Sequence, residues 1–123
     1  MSFDAAVAGL SDASVLVVGA DGTIGRALAS SLERSGLEVW RSTRRRAGVA
    51  PRNIYIDLHD DPGAIPLPAG PVGVAFLCAA ITDIARCQKE PAATRRVNVD
   101  NTLVLAGRLV AAGVFTVFLS SNT

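Results

Sequence analysis

Apolar positions gather in five short runs along the chain, and helical pattern or turn chemistry separates them. Val15, Leu16, Val17 and Val18 form an unbroken apolar stretch, the mark of a strand buried on both faces. Residues 23–35 then put Ile24, Leu28 and Leu32 at i, i+4 and i+8 on one helix face, with Gly36 closing the C-terminal end. A second strand is predicted over 37–43 and a third over 54–58, joined by a segment too short for a full helix. Residues 61–71 hold four prolines and two glycines and read as a surface loop in place of a helix. The fourth strand falls at 72–80. Thr82 can cap a short helix through Lys89, and Pro91 can open a longer one that reaches about Ala112, with Gly113 after it. Val99, Leu103, Ala106 and Val110 give that helix one apolar face, which Leu105 and Leu109 widen. A fifth strand follows at 114–120. Residues 1–13 read as a loose lead-in with a short helical turn. Right-handed crossovers arrange these elements most simply as one doubly wound parallel sheet in the order 3-2-1-4-5.

The chemistry concentrates where the first strand meets the first helix. Gly19, Gly22 and Gly25 follow the strand at a spacing of three, in the run GADGTIG. They suit, in turn, a tight exit from the strand, close approach of backbone to a pyrophosphate, and close packing of helix on sheet. Amides around Thr23 and Ile24 would face the phosphates, where unpaired N–H groups and the helix dipole favour negative charge. A glycine-rich turn alone could join any strand to any helix, but this one lies in a strand-turn-helix context and indicates a Rossmann-type dinucleotide fold. At the end of the second strand, NAD-binding folds usually carry Asp or Glu to accept from the ribose hydroxyls. Here the run is Arg41, Ser42, Thr43, Arg44, Arg45 and Arg46, without a carboxylate. A hydroxyl followed by a guanidinium suits a 2′-phosphate, so Thr43 and Arg44 favour NADP over NAD. Arg45 and Arg46 read as an ordinary solvated edge. Asp57 lies near the C-terminal end of the third strand, on the rim where such sheets bind ligands. Tyr55 reads as a packing residue, and His59 as solvated.

Composition narrows the class further. The chain has 123 residues, half of them hydrophobic and 19% charged, consistent with one globular domain. Its formal net charge of +1 makes no case for nucleic acid or an anionic membrane. No apolar run approaches the ~20 residues of a membrane span, and the first ten residues lack the basic start of a signal peptide, so a cytoplasmic protein is expected. Cys78 and Cys87 form no CxxC pair and are expected as free thiols, and His59, the only histidine, gives little basis for a metal cluster or a catalytic triad.

Taken together, these motifs resemble the extended short-chain dehydrogenase/reductase family, the NAD(P)-dependent epimerase/dehydratase group, and within it the dTDP-4-dehydrorhamnose reductase-like sugar-nucleotide reductases. The matching pieces are GADGTIG at 19–25, DL at 57–58, CAAITDIARCQKEP at 78–91, VNVDNTLVLA at 97–106 and FLSSNT at 118–123. The resemblance implies that Gly19, Gly22, Thr23, Ile24 and Gly25 hold the pyrophosphate, that Asp57 bonds the adenine amino group with Leu58 beside it, and that Ala79 and Ala80 lie along the cofactor. It implies further that Asn98 supports the active site and that Ser121 bonds the reacting oxygen of a nucleotide-linked sugar. The family's chemistry uses a Tyr with a Lys four residues later, the Lys lowering the phenol's pKa for proton exchange. Tyr55 and Lys89 are the only residues of their types, and position 59 is His. The chain is therefore expected to be the N-terminal cofactor-binding portion of such an enzyme, cut after the fifth strand, without the substrate lobe and inactive alone. A non-catalytic NADP-sensing module is the alternative. The apolar run at 114–119 and the wide apolar face of the 91–112 helix would suit pairing with a second copy.

Overall fold

The computed structural model describes residues 14–68, 71–78, 89, 91–92 and 96–119. Five parallel strands form one sheet: β1 (Ser14–Val18), β2 (Val39–Thr43), β3 (Asn53–Tyr55), β4 (Val72–Leu77) and β5 (Phe115–Phe118). Their order is β3-β2-β1-β4-β5, as expected from the pattern. Helix α1 (Thr23–Arg34) connects β1 to β2, and α2 (Thr102–Ala111) precedes β5. β1 is central, paired with β2 through Val15 and Val39 and with β4 through Val17 and Phe76.

The two-residue period of the strand splits the apolar run of β1 between two core layers. Val15 and Val17 join Ala29 and Leu32 of α1 in one layer, while Leu16 and Val18 join Leu105, Ala106 and Leu109 of α2 in the other. All four β1 side chains are essentially inaccessible. That double burial is why no polar residue interrupts the strand. The β3-to-β4 connection contributes too, because Ile65 is buried in the α2 layer with Ile56 and Leu58. Arg108 of α2 fastens that connection by donating to the carbonyls of Pro62 at 2.7 Å and Ile65 at 2.8 Å.

Several expectations need correction. β3 ends at Tyr55 rather than at residue 58, although the Ile56 amide still donates to the Thr43 carbonyl at 3.0 Å. On α1 the core face is Gly25, Ala29 and Leu32, while Ile24 is 61% exposed. On the last helix the expected face divides: Val99, Leu103 and Val110 are exposed, while Ala106 and the widening residues Leu105 and Leu109 face the core together with Thr102. Residues Arg96–Asn101 form a π-helix ahead of α2, in place of the continuous α-helix expected there. A π turn closes i to i+5 and takes in one more residue than an α turn, so a helical wheel carried through it loses its phase. The short helix expected at 82–89 lies outside the described residues. The outward-facing residues of β5 are apolar, with Phe115 69% and Phe118 50% exposed.

The helix phase is directly testable by chemical denaturation. Leu109→Ala empties a fully buried position and should cost about 2–5 kcal/mol, whereas Leu103→Ala on the outer face should cost roughly 0.5 kcal/mol or less. Equal losses would restore the phase read from the sequence.

Candidate dinucleotide site

The site lies at the C-terminal end of β1, where the connections of a doubly wound sheet diverge to its two sides and leave a crevice. Gly19 leaves the strand at φ 85°, in the left-handed region that favours glycine. Its carbonyl accepts from the Gly22 amide at 3.2 Å, closing the turn, and α1 begins at once. Gly25 packs directly on that turn: a Cβ there would fall 2.2 Å from the Gly19 carbonyl oxygen and 2.9 Å from its carbon. No other residue fits.

Gly22 is different. Its backbone is extended, φ −77° and ψ 168°, and a Cβ would meet only the Gly19 oxygen at an ordinary 3.6 Å. Nothing in the described fold demands glycine at this position, so a side chain here would project into open space next to the helix N-terminus. No side chain caps α1, and its first turn carries no acidic residue. These features fit an anionic group laid against the turn. Thr23 and Ile24, both exposed, open the helix as expected.

The end of β2 is bound to this turn by two side chains whose pairing the sequence pattern did not reveal. Ser42, 1% exposed, accepts from the Gly19 amide at 2.8 Å. Asp21 Oδ2 accepts from the Thr43 hydroxyl at 2.7 Å and from the Arg44 amide at 3.1 Å. Thr43 Oγ1 also accepts from the Arg45 amide at 3.0 Å, and the residue is 2% exposed. Thr43 is therefore a buried clasp and has no hydroxyl hydrogen to offer a 2′-phosphate, which corrects the role expected of it. Arg44 remains exposed beside it. Arg46, expected to be simply solvated, stacks its guanidinium 4.2 Å from the centre of the Tyr55 ring. Tyr55 is thus engaged at the end of β3.

Asp57 lies on the segment after β3, half-buried, and holds His59. Its Oδ1 accepts from the His59 amide at 3.0 Å and lies 2.8 Å from the ring Nδ1. His59 is exposed, as expected, and is also a partner of Asp57. Burial pushes the Asp57 carboxyl up, but hydrogen bonds from the His59 amide and ring and the charges of His59 and Arg44 outweigh it, leaving the group below its ordinary value. Leu58 does not lie open beside a ligand: it is 3% exposed, inside the α2 core layer. Its carbonyl accepts from Asn101 Nδ2, which also reaches the Asp60 carbonyl at 3.4 Å, so the loop after β3 is anchored at Leu58 and Asp60 from the start of α2. Cys78, at the end of β4, is a free thiol whose burial raises it to about 11. Ala79, Ala80, Ser121 and the side chain of Asn98 lie outside the described residues, as does Cys87. No cluster of metal-ligating side chains occurs among the described residues, and no described helix is long and apolar enough to cross a membrane.

A parallel, doubly wound sheet with a glycine turn at its central strand defines a nucleotide-binding α/β protein. Residues 15–123 match the NAD dependent epimerase/dehydratase family, and the chain belongs to it. Among solved structures it is similar to MoeE5 in complex with UDP-glucose and NAD, with 32% identity and a TM-score of 0.74 over 89% of this chain and 36% of that one. It is also similar to a short-chain dehydrogenase/reductase superfamily protein from Agrobacterium tumefaciens with bound NAD, at 28% identity and TM-score 0.67, covering 88% and 32%. UDP-glucose-4-epimerase from Stenotrophomonas maltophila, with bound NAD and formylated UDP-arabinopyranose, follows at 25% identity and TM-score 0.71, covering 89% and 37%. The chain thus spans about a third of the length of these proteins. No curated protein matches it.

Two glycine substitutions separate fold from site. Gly25→Ala should lower stability by about 1–3 kcal/mol, because the new carbon meets backbone that cannot yield. Gly22→Ala should leave the denaturation midpoint almost unchanged. The Asp57 carboxyl makes a second prediction: its folded pKa is depressed, so its contribution is present above the unfolded value and lost as pH falls through the folded one. Stability should decline below about pH 4, and Asp57→Asn should flatten that part of the pH profile.

Proposed function

We propose that this chain is the cofactor-binding part of an NAD(P)-dependent oxidoreductase or epimerase that acts on a nucleotide-linked sugar. The observation that carries the reading is the glycine turn at the end of β1, where Gly25 packs on the Gly19 carbonyl, Gly22 leaves open space at the helix N-terminus, and α1 has neither a side-chain cap nor an acidic residue in its first turn. Family membership and the NAD and UDP-sugar complexes of similar structures support it.

When bound, a nicotinamide dinucleotide supplies hydride exchange at a sugar carbon. In this reading the amides of Thr23 and Ile24 neutralise the pyrophosphate, with Gly19, Gly22 and Gly25 leaving room for it. Asp57 accepts a hydrogen bond from the adenine amino group, with Leu58 supporting its segment from within the core, and Ala79 and Ala80 flank the dinucleotide. Ser121 positions the sugar oxygen and Asn98 supports it. A second reading is a non-catalytic dinucleotide sensor, since this sequence holds no Tyr with a Lys four residues later. A soluble, cytoplasmic setting and pairing of two copies through the exposed faces of α2 and β5 fit either one.

Calorimetric titration with NADH and NADPH tests the site. Saturable binding of at least one, lost in Gly22→Val, is expected; binding of neither overturns the reading. Incubation of NAD and UDP-glucose with the whole protein of which this chain is proposed to be a part then separates the alternatives. Oxidised or epimerised sugar supports the enzyme, and tight binding without turnover supports the sensor.

A further inference from the structure

Resting on the dinucleotide reading, we propose that Asp21 is the residue that selects the cofactor, reading the adenosine ribose from the glycine turn and favouring NAD over NADP. The sequence carries no acidic residue at the end of β2, the place from which a carboxylate usually accepts the ribose hydroxyls. The fold supplies one from another element. Asp21 lies between Gly19 and Gly22, and its Oδ2 is fixed at the end of β2 by the Thr43 hydroxyl and the Arg44 amide.

Three features make this clasp a recognition group as well as a structural one. Asp21 is exposed although two donors hold it, so its orientation is set while it still faces solvent. Only Oδ2 is engaged among the described residues, which leaves Oδ1 to accept from a diol. The two donors at the end of β2 are already taken. Thr43 has spent its hydroxyl hydrogen on Asp21, and the backbone amide of Arg44 donates to the same oxygen. A phosphate bearing close to two negative charges would be brought beside a fixed carboxylate, and like charges so placed repel strongly.

The same pair of nucleotides used on the wild-type protein and on Asp21→Ser tests this. Wild-type protein should bind NADH about tenfold or more tightly than NADPH, the step expected when like charges are juxtaposed. Asp21→Ser, which can still bond Thr43, should gain affinity for NADPH and lose only a few-fold for NADH, so that the ratio falls toward unity. Adenosine 2′,5′-bisphosphate against 5′-AMP should show the same change, which places it at the ribose. A wild-type preference for NADPH overturns the proposal, as does an unchanged ratio in Asp21→Ser. Should that variant fail to fold, the wild-type ratio alone decides. Binding of neither nucleotide by the wild type instead overturns the dinucleotide reading on which the proposal rests.

Discussion

The approach of Gly25 to the Gly19 carbonyl is the contact on which the site depends. It lets α1 start directly at the end of β1, with its N-terminus facing the crevice. A side chain of even one carbon would push the helix away, and both the anion-facing amides and the seating of Ala29 and Leu32 on the sheet would move with it. One missing Cβ thereby couples the packing of a core layer to the geometry of a ligand site.

Around that contact, side-chain bonds tie four separate segments together in two pairs. Ser42 and Asp21 join the end of β2 to the glycine turn, and Asn101 joins the start of α2 to the segment after β3. Each clasp spans more than twenty residues of sequence, and each bonds a loop that would otherwise owe its position to the backbone alone. The rim is therefore ordered before any ligand arrives, which lowers the cost of ordering it on binding. Charged side chains further out pair as well, Arg41 with Glu33 and Arg52 with Glu38, and with an exposed partner in each pair they contribute little to stability. Within the arginine-rich stretch Arg41 is paired and Arg46 lies over Tyr55, while Arg44 and Arg45 are exposed.

The strand order, the glycine turn and the extent of α1 were legible in the sequence because each is written in local pattern: an unbroken apolar run, a fixed glycine spacing, a helical repeat ended by Gly36. The phase of α2 was not. That helix is apolar on both faces, so periodicity has two equivalent answers, and the π-helical segment ahead of it shifts the count. The role of Thr43 was misread for a related reason, since the acceptor that uses its hydroxyl lies 22 residues away in the chain.

By itself the sequence determined the class of protein, a doubly wound nucleotide-binding sheet, and the place of its site, because strand burial and backbone strain at glycine act over a few neighbouring residues. Only the tertiary structure decided which carboxylate faces the end of β2, which histidine contact holds Asp57, and which side of α2 meets the core. Those outcomes depend on side chains from distant segments meeting at the sheet's C-terminal edge, and no local period records which of them will meet.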